Sequence, residues 1–230
     1  MTQGNAWVDA SPSGVREQPS VGEDWRDWLP SDPAGSAPVP DEAPVPTERP
    51  TGPLAPQPHV SMPEDPLPIT RKDASVALWV VGAHGGAGES TLADLDEGWA
   101  AAEHSWPELD PGQSAACVIV ARTSVRGLLA ARSALTQWAA SGAGDSVELL
   151  GLVLVADAPG KLPAPIRDLA KVVGGGAPRV WHVPWVEAWR LGAPVGEHVP
   201  RPVSNLVSAL RSLAAPSHGG AVPSISEEKS

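Results

Sequence analysis

The sequence lacks phenylalanine and tyrosine, and its 230 residues include a single cysteine. One cysteine excludes a disulfide framework and favours a reducing, cytoplasmic setting, in which Cys117 is a small core residue. Ten tryptophans must therefore supply the bulky aromatic packing. For the richest aromatic cluster we expect core packing, with a partner surface as the alternative. That cluster consists of Trp181, Trp185 and Trp189.

Positive charge is also scarce. Lys and Arg number 16 against 27 Asp and Glu, which gives a net charge of −11, and no segment shows a basic stripe. Direct binding to nucleic acid or to an anionic membrane surface requires such a stripe, so we expect neither partner. No apolar run approaches the ~18 residues that a membrane-spanning helix needs. The N-terminus does not have a basic region followed by an apolar stretch, so we predict no signal peptide.

Proline is concentrated at the N-terminus, where residues 1–70 hold 15 of the 27 prolines together with many acids. Such a segment buries too little apolar surface to offset its ordering entropy, so we predict a disordered arm over residues 1–74. Within it, Trp25, Trp28 and Leu29 have the spacing of one helical face. They are the candidate site for a protein partner, or for the domain itself, and a transient apolar cluster is the alternative.

Residues 75–215 alternate between apolar runs and amphipathic stretches, and a polar tail, 216–230, is predicted to be disordered. Continuous apolar strands separated by amphipathic helices are typical of βαβ units. We therefore predict an α/β domain with a short, mostly parallel sheet of about four to five strands flanked by helices. Strands are predicted at 76–81, 115–121, 148–155 and 180–183, and helices at 90–103, 125–140, 165–173 and 203–213.

The stretch after the first predicted strand has the layout of a phosphate-binding loop. Residues 84–91 read His-Gly-Gly-Ala-Gly-Glu-Ser-Thr, and an apolar run leads into them. Glycines let successive backbone N–H groups surround a phosphate, and Ser90 lies where a hydroxyl ligand of Mg²⁺ would lie. The candidate cofactor-binding residues are His84, Gly85, Gly86, Ala87, Gly88, Glu89, Ser90 and Thr91.

Glu89 departs from this pattern, because it occupies the position of the lysine in G-x-x-x-x-G-K-[ST]. Two unit charges ~4 Å apart interact by about 4 kcal/mol at an effective dielectric near 20, so the exchange turns an attraction of that size into a repulsion. We therefore expect no bound cofactor, with ATP and Mg²⁺ as the alternative. Three placements of the carboxylate are open: outward to solvent, on a cation that bridges to phosphate, or within the loop's own amide groups.

The loop resembles the K-G-G-x-G-K-[ST]-[ST] loop of ParA/MinD-type partition and positioning ATPases. Segments 118–124, 151–157 and 183–195 are similar to later parts of that family in the same order. The resemblance implies a P-loop NTPase-like fold over residues 76–213, with Val155 in place of an adenine-contacting Asn. The chain also resembles an uncharacterised group of short actinobacterial proteins associated with mobile elements.

The departures from that family determine the expected function. His84 and Glu89 replace both loop lysines, and no acid between residues 92 and 113 ends an apolar strand, as the water-activating and Mg²⁺-supporting acids would. The resemblance thus implies a degenerate ParA/MinD-like interaction or regulatory module without efficient ATP hydrolysis, and we assign no catalytic or metal-binding residue. The alternative is a non-standard nucleotide-binding protein or slow ATPase in plasmid or mobile-element partition or positioning. A homodimer is left open.

Three further residues follow predicted strands. Asp157 has the position of a metal-binding Asp after a strand, although a turn over 157–160 is the simpler interpretation. Arg122 and Lys161 lie near carboxyl ends of strands, where ligands of open α/β sheets gather, or they are solvated surface groups. The six histidines show no ligand spacing, so we predict no zinc site.

Overall fold

The computed structural model describes residues 49–73, 76–197 and 199–215. Trp25, Trp28 and Leu29 lie outside the described residues, as does the tail 216–230, so the partner site proposed on the three stays a prediction. In the described part of the chain, no helix combines the length and the apolar character that crossing a membrane requires.

The described chain contains seven strands and five helices. In order they are β1 (Ile69–Arg71), β2 (Leu78–Gly82), α1 (Glu89–Ala93), β3 (Trp99–Ala101), β4 (Trp106–Glu108), β5 (Ala115–Arg122), α2 (Val125–Ala139), β6 (Val147–Val155), α3 (Ala164–Gly174), β7 (Val180–Val183), α4 (Glu187–Arg190) and α5 (Arg201–Ala214). Strands and helices alternate strictly from β5 to β7 but not throughout the described chain.

Within the described residues, five strands form the main sheet, in the order β3-β2-β5-β6-β7, and all of them are parallel. A second, two-stranded parallel sheet joins β1 to β4. The inner strands are apolar because both faces of the main sheet are covered; every residue of β2, for example, is buried. The predicted α/β fold with a short, mostly parallel sheet is confirmed.

Two hydrophobic cores lie on opposite faces of the main sheet. Helices α2 and α3 cover the face that carries Trp79 and Val81, whereas α1 and α5 cover the face that carries Leu78 and Val80. Successive side chains of a strand point to opposite faces, so one short strand contributes to both cores. Burial of each large apolar side chain contributes roughly 1.5–3 kcal/mol, and the two cores together hold the sheet between its helices.

The predicted helix over 90–103 is wrong beyond residue 93. The side chain of Asp96 accepts a hydrogen bond from the Gly98 N–H at 2.7 Å, which closes a turn, and β3 then pairs in parallel with β2. Local periodicity favoured a helix, but the open edge of β2 offers backbone partners that a continued helix could not use. Strands β1 and β4 and helix α4 have only three or four residues each and show no periodicity in the sequence.

Residues 49–73, here called the strap, differ from the predicted disordered arm, because they follow the surface of the domain. The Thr51 N–H donates to the Pro178 carbonyl at 2.9 Å, and the Gln57 N–H donates to the Ala139 carbonyl at 2.8 Å. The strap ends in β1, which pairs with β4. The strap needs no hydrophobic core of its own, because the surface of the α/β domain supplies its contacts. The packed part of the chain therefore begins well before the predicted boundary at residue 75.

Candidate functional site

Residues 83–88, here called the glycine-rich loop, join β2 to α1 at the carboxyl edge of the main sheet. Gly86 and Gly88 have φ angles of 76° and 102°, a left-handed conformation that glycine adopts without steric cost. The Ala87 N–H donates to the His84 carbonyl at 3.2 Å, which closes the turn. Two of the predicted loop glycines are therefore required by the backbone path itself.

Glu89 is the first residue of α1, and its side chain is only 6% exposed. Its Oε1 accepts a hydrogen bond from the His104 N–H at 3.2 Å, and its Oε2 lies 3.1 Å from His104 Nδ1. The carboxylate therefore does not point to solvent. Among the described residues, no N–H of the glycine-rich loop donates to it, so it does not fill the loop's amide groups either. The structure thus shows a fourth placement, on His104, and the cation bridge stays a prediction.

The Glu89–His104 pair stabilises an unusual backbone. Glu103 and His104 have φ angles of 61° and 55°, and a left-handed conformation costs a residue with a side chain about 1–2 kcal/mol. His104 Nδ1 also lies 3.2 Å from the Gly82 carbonyl oxygen. A Cβ atom on Gly82 would lie 2.4 Å from that nitrogen and 2.8 Å from Glu89 Oε2. Position 82 must therefore be glycine for the pair to form.

His84 and Arg122 connect the loop to the ends of the neighbouring strands. His84 Nε2 accepts the Arg122 backbone N–H at 3.1 Å, so in the neutral ring Nδ1 carries the proton, and it lies 2.9 Å from the Gly85 carbonyl oxygen. The Arg122 guanidinium donates to the Gly86 carbonyl at 3.1 Å and to the Ala156 carbonyl at 2.9 Å. A cation thus reaches the loop from β5, although the loop has no lysine.

Arg122 occupies an environment that weakens its hold on the proton. Burial lowers the pKa of its guanidinium below the ordinary value; the charge of Arg190 acts in the same direction, and that of Asp157 opposes it. The ordinary pKa of arginine is so high that the guanidinium stays charged at neutral pH. Arg122 therefore lies beside the glycine-rich loop, which favours the ligand-site interpretation over a solvated surface group. Lys161 is exposed and lines a different surface pocket.

A pocket of about 220 Å³ opens beside the glycine-rich loop, where β5, β6 and β7 end. Gly88 and Thr91 line it from the loop side, and Arg122 and Arg190 are its charged residues. The remaining walls are mostly apolar: Leu92, Val155, Ala156, Val183, Pro184, Trp185, Val186 and Trp189. The site therefore combines two cations with flat apolar surfaces.

The predicted tryptophan cluster divides between two environments. Trp181 is buried in the core, as expected, whereas Trp185 and Trp189 line the pocket. The Trp185 indole N–H donates to Glu187, and the Trp189 indole nitrogen is buried without a hydrogen-bond acceptor in the described part of the chain. Trp189 also packs against the core that contains Trp181, so core packing accounts for Trp181 and in part for Trp189, but not for Trp185.

The other predicted candidates lie apart from the loop or only partly beside it. Ser90 is exposed, whereas Thr91 contributes to the pocket. The Asp157 N–H donates to Thr123 Oγ1 at 3.2 Å, and the chain bends over residues 157–160, where Gly160 has a φ of 92°. Within the described ranges, no group of three or more His, Cys, Asp or Glu side chains is placed to hold a metal ion.

The fold and the site define an α/β domain with a cationic, apolar-walled pocket at the carboxyl edge of its parallel sheet. Residues 76–207 match the model of a family of unknown function, DUF6668, and the chain belongs to that family. The matched region contains the main sheet, the glycine-rich loop and the pocket, and it begins after the strap. Searches of curated proteins and of solved structures each returned no match.

Proposed function

We propose that this domain is a degenerate ParA/MinD-like P-loop protein that acts as an interaction or regulatory module without efficient ATP hydrolysis. The observation that carries the proposal is Glu89, a buried acid in the position of the phosphate-binding lysine. Turning its carboxylate away from a phosphate would give up the hydrogen bond from the His104 N–H and the contact with His104 Nδ1. Leaving a buried acceptor without its partner costs roughly 1–3 kcal/mol. The negative charge therefore stays beside the loop, where it opposes an anionic ligand.

The acids between the loop and β5 also support a lack of hydrolysis. Asp96 forms an ion pair with Arg211 on α5, and Asp110 forms one with Arg71 on β1. These carboxylates already have partners on other elements. Activation of water would require an acid or an equivalent group held within hydrogen-bond reach of the attacking oxygen.

A second candidate function is a nucleotide-binding protein or slow ATPase in plasmid or mobile-element partition or positioning. It is favoured by the contact between Arg122 and Gly86, because this guanidinium brings positive charge to the loop from another strand. In this alternative, Arg122 replaces part of the missing lysine and offsets Glu89.

Titration of the full-length protein with Mg²⁺–ATP and Mg²⁺–ADP separates the two candidates. We expect the wild-type protein to show no calorimetric binding up to about 1 mM nucleotide, because the acid repels phosphate by a few kcal/mol. Glu89→Gln keeps the size and one acceptor oxygen but removes the charge, and we expect it to gain affinity. Glu97→Gln, at an exposed acid, is the matched control. Micromolar binding or turnover by the wild-type protein would overturn the first proposal and support the second.

In this interaction role, a protein partner would bind to Trp25, Trp28 and Leu29. With the full-length chain as bait, we expect a double variant, Trp25→Ala with Trp28→Ala, to lose at least about tenfold of its captured partner, because buried tryptophans dominate such contacts. Trp7→Ala is the control, since it removes another N-terminal tryptophan outside the predicted face. Equal recovery by all three proteins, measured by quantitative mass spectrometry, would contradict this assignment.

A further inference from the structure

We propose that the pocket beside the glycine-rich loop binds a small aromatic anion, whose charged group lies between Arg122 and Arg190. The inference goes beyond the proposed function, because it requires no nucleotide on the loop and no partner on the N-terminal segment.

The position of the pocket is the first argument. Arg122 ends β5, Val155 ends β6 and Val183 ends β7, so three adjacent parallel strands present their carboxyl ends to one cavity. In open α/β sheets this edge is where ligands bind.

The charge of the pocket is the second argument. Arg122 and Arg190 both line it, and none of its lining residues is acidic. Among the described residues, the Arg190 guanidinium has no ion pair or hydrogen bond, and the side-chain acceptors of Arg122 are neutral carbonyls. Three acids are near but outside the lining. Asp157 acts on Arg122, Glu187 accepts the Trp185 indole N–H, and Glu89 is bound to His104. Two neighbouring guanidinium groups repel each other, and an anion bound between them turns this repulsion into two attractions.

The shape of the pocket is the third argument. Its volume of about 220 Å³ lies below the about 300–1,000 Å³ of sites for drug-sized molecules. A single ring with one charged group therefore suits it better than a whole nucleotide. Trp185 and Trp189 provide flat surfaces on which such a ring can stack, and Leu92, Val155 and Val183 complete the apolar walls.

Three probes test the anion and the ring separately: benzoate, benzamide and acetate. The full-length, ¹⁵N-labelled protein is titrated at constant ionic strength, and the indole N–H resonance of Trp189, assigned with Trp189→Phe, is followed. We expect benzoate to shift this resonance saturably with a Kd in the millimolar range, and benzamide and acetate to bind at least about tenfold more weakly. Benzamide lacks the charge and acetate lacks the ring.

Arg190→Gln is expected to weaken benzoate binding at least about fivefold, because Arg190 is exposed and its loss removes one of the two charges. The matched control is Arg201→Gln, at an exposed arginine that begins α5 outside the pocket, and a thermal melt checks that both variants fold. Absence of a saturable shift with benzoate up to about 50 mM would overturn the proposal. So would equal binding of benzoate and either other probe, or an equal affinity of the Arg190 and Arg201 variants.

Discussion

Substitution of Gly127 by alanine is expected to lower the free energy of unfolding by about 3 kcal/mol, against the usual direction of a glycine-to-alanine change in a helix. A Cβ atom at this position would lie 2.3 Å from the Arg122 carbonyl oxygen and 2.9 Å from His84 Nε2. The first contact is with backbone, which cannot rotate away, so the start of α2 must shift from the end of β5. Guanidinium denaturation followed by tryptophan fluorescence measures the change.

Gly85→Ala is the control for that experiment. Its Cβ would meet no atom within 4 Å, and its φ is not in the left-handed region. We expect its unfolding free energy to stay within about 0.5–1 kcal/mol of the wild-type value. If Gly127→Ala were as stable as Gly85→Ala, the close approach of α2 to the Arg122 carbonyl would be refuted.

Substitution of Gln137 by leucine is expected to detach part of the strap and to cost about 2–4 kcal/mol of unfolding free energy. Gln137 is 2% exposed, and its side chain makes three hydrogen bonds. Its Oε1 accepts the Leu67 N–H at 2.8 Å, and its Nε2 donates to the carbonyls of Leu67 at 2.8 Å and Gly142 at 2.9 Å. Leucine has a similar size but can replace none of these bonds.

Hydrogen exchange at the Leu67 amide gives a local readout of the same variant. We expect its protection to fall by at least about tenfold in Gln137→Leu, because its acceptor is lost. Gln57→Leu is the control, since within residues 49–73, 76–197 and 199–215 that exposed side chain has one hydrogen bond, to the Ala55 carbonyl two residues away. Unchanged protection of Leu67 in Gln137→Leu would show that β1 and the contacts around it hold the strap without the glutamine.

The sequence predicted the main sheet well because its inner strands are apolar runs that need no partner to be recognised. The run 180–183 coincides with β7, and 115–121 differs from β5 by one residue. The segment 99–101 was missed because a three-residue strand has no period of its own, and only its pairing with β2 defines it. The strap was missed for a related reason, since its hydrogen-bond partners lie far away in the sequence: Pro178, for example, follows Thr51 by 127 residues.

The sequence predicted the glycine-rich loop of the candidate site, but not the residues that surround the loop. Glycine spacing located residues 84–91, and the position of Arg122 after an apolar run marked it as a candidate. His104 could not be found, because it follows Glu89 by 15 residues and no spacing rule links the two. The pocket is also a tertiary feature: Arg190 and Trp189 reach it only because β7 returns to the same edge of the sheet as β5.

The lengths of the strands in the main sheet have a consequence for self-association. The outermost strands, β3 and β7, have three and four residues, whereas β5 and β6 between them have eight and nine. A short border strand offers few unpaired backbone groups to an approaching chain, so growth of the sheet from one copy into the next is disfavoured. If two copies associate, we expect helices or loops to form the contact, and no sheet to continue from one copy into the other.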